Sequence, residues 1–376
     1  MSRFPHRNNL FNRFFWDNTI EKKRRGQIWS LGIGNLKNRT PDNKNGFGQK
    51  EKAIHNSGWQ TFYGLSRGYS TDETPAPGAI SLIHTPTKKQ SIRLDLPPQE
   101  LTKIVKRFAK IHQIDEIGFT PINMDWHYDG RCIVFPGGYK DSQAEDISHL
   151  KNCIVILADQ PYDTSRTFPS SIAGAGQSYT DAFVKSVLIA SYIKELGYEA
   201  VASVNDTAQA IPYAIAAGLG EYGRNGLLVN ERYGSRVRIA KIFTDMPMEY
   251  TPKRTFGVEE FCNVCNKCAE ACPPKAIQFG EPSLQVFSIS NHQGIKKWNI
   301  HAEACYDFWE KTQSECGICI RVCPFNKDLT DWRHRVYNKV LFKPLVKFKM
   351  FKTLLWFEKL FGFGKRTHPK DWWNET

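Results

Sequence analysis

Long apolar runs are missing from the 376-residue sequence, because none approaches the ~18 consecutive residues that a transmembrane helix needs. The first apolar patch, around Phe14 and Trp16, is too short and too interrupted for the hydrophobic region of a secretory signal. No internal repeat is present beyond two cysteine-rich runs. We therefore expect a protein that is cytoplasmic or peripheral at the cell membrane, without a visible signal peptide.

Excess positive charge is scarce over most of the chain, although the formal net charge is +13. Residues 1–25 carry seven basic and two acidic side chains, and residues 331–376 carry eleven basic and four acidic ones. The 305 residues between them carry a net charge of only +1, which excludes a uniformly basic, histone-like protein. A hydrophobic fraction of 41% excludes a disordered chain, and the length predicts roughly two or three domains.

Disulfide-type spacing is also absent, although the chain has ten cysteines. Eight of them fall between Cys262 and Cys323, mostly in CxxC and CxxxC patterns that are typical of metal ligation in a reducing compartment. Cys132 and Cys153 stand apart. Cys153 opens an apolar run and is predicted to be a buried strand residue.

Strand and helix patterns alternate after a polar, irregular N-terminal region. Leu101, Val105 and Phe108 recur at helical spacing. Further patterns predict strands at 116–122, 153–158, 198–204 and 236–244, and helices at 180–196 and 207–217. This alternation indicates an α/β layered core. The predicted organisation is a set of loops wrapping the core (1–95), the α/β core (96–250), a cysteine-rich module (251–330) and a basic aromatic tail (331–376).

The cysteine runs are the strongest signal in the sequence. The first run is Cys262-x-x-Cys265-x-x-Cys268-x-x-x-Cys272-Pro273, and the second is Cys316-x-x-Cys319-x-x-x-Cys323-Pro324 with Cys305 upstream. In such runs the fourth cysteine ligates the other cluster of a [4Fe–4S] pair. The predicted ligand sets are therefore Cys262, Cys265, Cys268 and Cys323 for one cluster, and Cys272, Cys305, Cys316 and Cys319 for the other. Two structural zinc sites are the alternative.

The segment 179–247 carries a more specific resemblance. Its stretches GLGEYGRNGLL and RVRIAKIFTD, followed by the two cysteine runs, resemble the cobalamin-dependent reductive dehalogenases in the same order. The epoxyqueuosine reductases share the cobalamin core and the paired clusters and are the nearest rival family. The resemblance implies an α/β (α+β) cobalamin-binding core with a C-terminal ferredoxin-like module that carries two [4Fe–4S] clusters.

The resemblance also implies a set of site residues. In the dehalogenases a tyrosine, an asparagine and an arginine lie above a base-off cobalamin, and these positions match Tyr179, Asn205 and Arg238. A phenol is a poor proton donor near neutral pH unless a cation lies beside it, and Arg238 is expected to supply that cation. Asn205 is expected to orient the substrate or the hydroxyl, and Trp309 matches an aromatic wall residue. Taken alone, each of the four also suits a structural role.

Two further motifs have weaker interpretations. Gly218-x-Gly220-x-x-Gly223 fits a dinucleotide fingerprint, but it follows a helix-like stretch rather than a strand. The resemblance implies instead that this turn lets the backbone approach the corrinoid. Residues 125–130 fit the DxHxxG signature of proteins that bind cobalamin through a histidine, here His127. We interpret this match as a coincidence, because the dehalogenases use no such ligand.

The basic tail leaves three interpretations open. Residues 343–361 interleave lysines with aromatic and aliphatic side chains. They could form a helix packed on the body, a basic amphipathic face on an anionic membrane, or a contact to RNA. The basic run at residues 22–25 is most simply a solvated charge run.

The leading functional hypothesis is reductive dehalogenation, R–X + 2e⁻ + H⁺ → R–H + X⁻. By resemblance, electrons would pass through two [4Fe–4S] clusters to give Co(I), and Tyr179 would supply the proton to an organohalide substrate. The sequence shows neither a twin-arginine export signal nor a fused flavin reductase domain. We therefore expect a separate low-potential electron donor protein. Peripheral membrane contact stays one of the three interpretations of the tail, and no nucleic acid partner is expected. The alternatives are an epoxyqueuosine-type reductase acting on tRNA and a plain electron carrier.

Overall fold

The computed structural model describes residues 3–20, 46–67, 87–135, 138–144, 146–312 and 314–375. The basic run at 22–25 lies outside the described residues. The strands are β1 Ile117–Pro121, β2 Arg131–Phe135, β3 Gly138–Ser142, β4 Asn152–Asp159, β5 Ala200–Ser203, β6 Glu221–Tyr222, β7 Leu228–Val229 and β8 Val237–Thr244. The α-helices are Leu10–Trp16, Gln49–Arg67, Pro98–Ile111, Tyr162–Ser165, Gly176–Glu195, Ala210–Ala216, Val258–Val264, Lys267–Ala271, Ala302–Thr312, Ile318–Arg321, Trp332–Tyr337, Lys343–Lys347, Phe351–Leu360 and Pro369–Asn374.

A four-stranded sheet in the order β1-β4-β8-β5 forms the centre of the core. All of its pairings are antiparallel, with Ile156 opposite Ala240 and Ser203 opposite Lys241 as reference pairs. The sequence patterns identified all four strands, and the layered arrangement of helices on a sheet is confirmed. Because the pairing is antiparallel, the core is of the α+β type.

Both faces of the central sheet are buried, which explains why its strands are almost continuously apolar. Along β4, Ile154 and Ile156 face the core cluster that contains the Pro98–Ile111 and Gly176–Glu195 helices. Val155 and Leu157 face the opposite cluster, which contains the Ala210–Ala216 helix. Cys153 is fully buried, as predicted.

The N-terminal region is more regular than the expected loops, because it contains the 19-residue helix Gln49–Arg67. This helix crosses the Gly176–Glu195 helix at very short range. A Cβ added to Gly58 would lie 2.7 Å from the backbone nitrogen of Gln177, and one added to Gly176 would lie 2.4 Å from that of Trp59. Glycine at both positions therefore lets the two backbones touch.

The C-terminal tail packs on the cysteine-rich module through two helices, Lys343–Lys347 and Phe351–Leu360, where one helix was predicted. Phe351 and Leu354 are buried in a core cluster shared with Phe261 and Cys265. Glu358 is fully buried, 3.1 Å from the ammonium group of the equally buried Lys327, and accepts a hydrogen bond from the Tyr337 hydroxyl. Among the described residues, we find no helix that combines the length and apolar character needed to span a membrane.

Candidate active site and iron–sulfur module

The strand register brings together the three residues implied by the resemblance. Arg238 lies near the start of β8, and Asn205 follows the end of β5. Since β5 runs antiparallel to β8 and pairs Ser203 with Lys241, the chain beyond Ser203 continues toward Arg238. Tyr179 lies in the first turn of the Gly176–Glu195 helix, which packs over the same face of the sheet.

The side chains of Asn205 and Arg238 both contact Tyr179. The Asn205 side-chain amide donates a hydrogen bond of 3.1 Å to the Tyr179 hydroxyl oxygen. The Arg238 guanidinium carbon lies 5.2 Å from the centroid of the Tyr179 ring, within the range of a cation–π interaction. Because the hydroxyl oxygen of Tyr179 accepts from Asn205, its own hydrogen remains available to a molecule in the cavity.

A cavity of about 620 Å³ separates this trio from the cysteine-rich module. Tyr179, Asn205 and Arg238 lie on its wall. Trp309 also lines it. The wall further includes four cysteines, namely Cys272, Cys305, Cys316 and Cys319. The arrangement therefore places a polar trio and four thiols around one largely apolar space.

The electrostatic interactions between the eight clustered thiols fall mainly within two groups, named the first set and the second set. The first set is Cys262, Cys265, Cys268 and Cys323, and the second set is Cys272, Cys305, Cys316 and Cys319. Each of the first three members of the first set interacts with Cys323, although Cys323 belongs to the second run. Cys268 also interacts with Cys319, so the two sets adjoin.

Burial dominates the protonation of these thiols. It raises the pKa of Cys262 and of Cys265 to about 12, and neighbouring thiols add to the effect. Burial likewise raises the pKa of Cys305 to about 12 and that of Cys316 to about 11. Metal binding must therefore displace protons from these sulfur atoms, which couples cluster assembly to proton release.

The glycine-rich turn differs from the prediction. Gly218, Gly220 and Gly223 are not on the cavity wall, which is formed instead by residues 225–227. A Cβ on Gly218 would lie 2.5 Å from the carbonyl oxygen of Pro252. A Cβ on Gly220 would lie 2.5 Å from the carbonyl oxygen of Val229. The first two glycines thus permit close backbone packing, and the cavity is lined by the residues that follow the third glycine.

His127 also lies away from the cavity wall. Its Nε2 atom is 2.7 Å from the Tyr213 hydroxyl, and the side chain is buried. Burial lowers the pKa of His127 to about 4, with a smaller contribution from the buried Lys241 ammonium group. A neutral histidine held by a tyrosine explains the motif as a packing feature, in agreement with the interpretation of the DxHxxG match as a coincidence.

Sequence reasoning missed a network on the helix Gln49–Arg67. Trp59 stacks on Tyr179 with ring centroids 5.2 Å apart, and its indole nitrogen donates to Glu315 at 2.6 Å. The other Glu315 oxygen lies 2.6 Å from His55. Burial would raise the pKa of Glu315, but His55 and the Trp59 hydrogen bond hold it at about 2. No motif marks these residues, because they converge only through tertiary packing.

Comparison with known proteins identifies the cysteine-rich module and the family. Residues 261–327 match a family model described as a 4Fe-4S dicluster domain. A tetrachloroethene reductive dehalogenase from Desulfitobacterium hafniense is 32% identical over 327 residues, which cover 73% of this chain and 58% of the relative. The chain belongs to the reductive dehalogenase family. It spans a little over half the length of that dehalogenase.

Solved structures show the same fold. A catabolic reductive dehalogenase gives a TM-score of 0.71 at 20% identity, covering 99% of this chain and 48% of its own. A second reductive dehalogenase, described with a mechanism for B12-dependent dehalogenation, gives 0.62 at 24% identity, covering 76% of this chain and 40% of its own. An epoxyqueuosine reductase from Lactococcus garvieae is 31% identical over only 134 residues, 34% of this chain and 36% of its own length. The rival family is therefore the weaker match.

The exchange of fourth ligands between the two cysteine runs can be tested by substitution. Cys323→Ser should remove the same cluster as Cys265→Ser, and Cys272→Ser should remove the same cluster as Cys316→Ser. Each variant should lose about half of the iron, because each set holds one of the two clusters. Iron analysis together with EPR spectra of the dithionite-reduced protein measures both effects.

Cys132→Ser provides the control, because this buried thiol belongs to neither set and its loss should leave the iron content unchanged. If Cys323→Ser removed the EPR signal that Cys316→Ser removes, the assignment of Cys323 to the first set would be contradicted.

Proposed function

We propose that the protein catalyses the reductive removal of halide from an organohalide, R–X + 2e⁻ + H⁺ → R–H + X⁻. The observation that carries this proposal is the cavity with Tyr179, Asn205 and Arg238 on one wall and the second set of cysteines on the other. A proton source and an electron source thus face the same space. A plain electron carrier would have no use for the polar trio.

The cavity suits a corrinoid. Its wall is mostly apolar, with a few polar groups that converge from β5, β8 and the Gly176–Glu195 helix, as is typical of cofactor sites. Residues 225–227 would contact the cofactor from the core side, and Cys272, Cys316 and Cys319 would lie on the cluster side. A bound cobalamin would supply the two electrons to the carbon–halogen bond, as the B12-dependent relative suggests.

Tyr179 would deliver the proton to the carbon that loses its halide. The phenolate left behind would be stabilised by the Arg238 guanidinium and by the hydrogen bond from Asn205. Trp59 packs against the ring and restricts its orientation. The chain thereby holds the proton at one oxygen atom and lowers the cost of releasing it.

The two cysteine sets give the electrons a direction. The second set lines the cavity, whereas no member of the first set does. Electrons from a separate low-potential donor protein would therefore enter at the first cluster, pass to the second cluster and leave toward the cavity. Cys268 and Cys319, which interact across the two sets, mark where the clusters adjoin.

Replacement of Tyr179 by phenylalanine tests the assigned proton donor. In protein reconstituted with iron, sulfide and cobalamin, Tyr179→Phe should lower the rate of halide release by about 10²–10⁴-fold, because the positioned proton is lost. Halide release from tetrachloroethene, and from a brominated phenol as second probe, measures the rate with reduced methyl viologen as donor.

Tyr192→Phe is the matched control, since Tyr192 lies on the same helix but stacks on Phe108 at 4.1 Å, outside the cavity wall. An unchanged rate in Tyr179→Phe, with full cofactor content, would rule out its role as proton donor.

We further propose that the tail contacts an anionic membrane surface. Its exposed side chains include large apolar ones, with Phe348 at 69% exposure and Trp356 at 58%. Residues 332–361 contain six lysines and two arginines, and their one acidic residue, Glu358, is buried. The exposed surface of this segment is therefore cationic and apolar, which suits anionic headgroups above an acyl layer.

Vesicle binding tests this contact. The protein should cosediment with vesicles containing phosphatidylserine or phosphatidylglycerol but not with pure phosphatidylcholine, and binding should fall as salt is raised. The variant Lys352→Glu/Trp356→Ser should bind several-fold more weakly. Lys103→Glu is the control, because Lys103 is exposed on the helix Pro98–Ile111, away from the tail. This variant should bind the vesicles like the unaltered protein. Binding of RNA without binding of anionic vesicles would contradict the proposal.

A further inference from the structure

Arg224 is a buried cation without a carboxylate partner. Its side chain is only 1% exposed, although it extends from the glycine-rich turn between β6 and β7. Among the residues that the structure describes, no aspartate or glutamate forms an ion pair with it. A buried charge of this kind is costly unless its hydrogen bonds are satisfied and an opposite charge is close by.

The guanidinium group binds the loop that carries the first cysteine set. Its Nε atom donates to the carbonyl oxygen of Cys265 at 3.0 Å, and an Nη atom donates to that of Cys262. The other Nη atom donates to the Gln278 carbonyl oxygen at 2.8 Å. The Trp298 ring lies 5.0 Å from the guanidinium carbon and shields it from solvent.

Other charges near the first set are either neutralised or solvated. Lys327, which follows Cys323, is paired with the buried Glu358. Lys267 also acts on Cys265, but its side chain is only partly buried, so water screens part of its charge. Arg321 acts on Cys316 of the second set instead. Arg224 is thus the buried, unneutralised cation beside the first set.

The reduction potential of an iron–sulfur cluster depends on the charge around it. One-electron reduction adds one negative charge to a cluster that four thiolates already make anionic. A buried cation and hydrogen bonds to the cluster stabilise that added charge and raise the potential, whereas exclusion of solvent destabilises it and lowers the potential. The absent carboxylate partner of Arg224 is explained if the cluster itself is its counter-charge.

We propose that Arg224 raises the reduction potential of the first [4Fe–4S] cluster through its buried positive charge, and so sets the potential at which electrons enter the protein. The effect on the potential rests on the dicluster domain and not on the dehalogenation reaction, and only the entry of electrons at the first cluster rests on the proposed function. The proposal also gives two roles to the turn between β6 and β7, which follows Gly223. Arg224 extends to the first cluster, while residues 225–227 line the cavity.

A redox titration of the full chain with both clusters reconstituted tests the proposal without any turnover. In Arg224→Gln the midpoint of one cluster should fall and that of the other should stay. At the potential where this cluster is half reduced in the unaltered protein, its ratio of reduced to oxidised form in Arg224→Gln should be about tenfold lower. This change corresponds to a fall of ~59 mV in the midpoint potential for one electron. EPR spectra recorded at a series of potentials set with dithionite measure the reduction of both clusters.

Two further variants separate charge from packing. Arg224→Lys keeps the charge and should leave the ratio within about twofold of the unaltered protein. Arg321→Gln should shift the other cluster and not the first. Unchanged midpoints in Arg224→Gln would overturn the proposal. If Arg224→Gln fails to load iron, Arg224→Lys becomes the test. A tenfold fall in the reduced-to-oxidised ratio of Arg224→Lys, which retains the charge, would overturn the proposal as well.

Discussion

Each cysteine set is complete only when two distant stretches of chain meet. Cys323 must return to the loop that holds Cys262, Cys265 and Cys268, and Cys272 must reach Cys305 and the second run. This closure fixes the cysteine-rich module as one body, with the tail locked to it by the buried pair of Lys327 and Glu358. The cavity lies where the module meets the end of β5 and the start of β8, so Tyr179, Asn205 and Arg238 line the same cavity as the second set.

Patterns that depend on local chemistry could be read from the sequence. The helix Pro98–Ile111 and the four central strands follow from apolar periodicity, and the two cysteine sets follow from the spacing within each run. Strand direction could not be read, because a buried strand is apolar on both faces whichever way its neighbour runs. The helix Gln49–Arg67 was missed because its place is fixed by contact with the Gly176–Glu195 helix rather than by its own pattern.

Two features of the site could not be placed from the sequence, for the same physical reason. The turn at Gly218–Gly223 was recognised as a place of close backbone approach, but sequence cannot show which neighbour approaches. Here that neighbour is the chain at Pro252 and Val229, and the cavity begins at Asn225. The network of Trp59, Glu315 and His55 was missed for the same reason, since its members are far apart in sequence and meet only in the fold.

The central claim is that a corrinoid lies in the cavity between Tyr179 and the second cluster without a histidine ligand from the protein. The most direct measurement is an EPR spectrum of cobalamin-reconstituted protein in the Co(II) state. The account predicts retained cobalt with a base-off signal that lacks nitrogen splitting, because His127 is held by Tyr213 away from the cavity. A nitrogen-split signal, or protein that retains clusters but no cobalt, would contradict it.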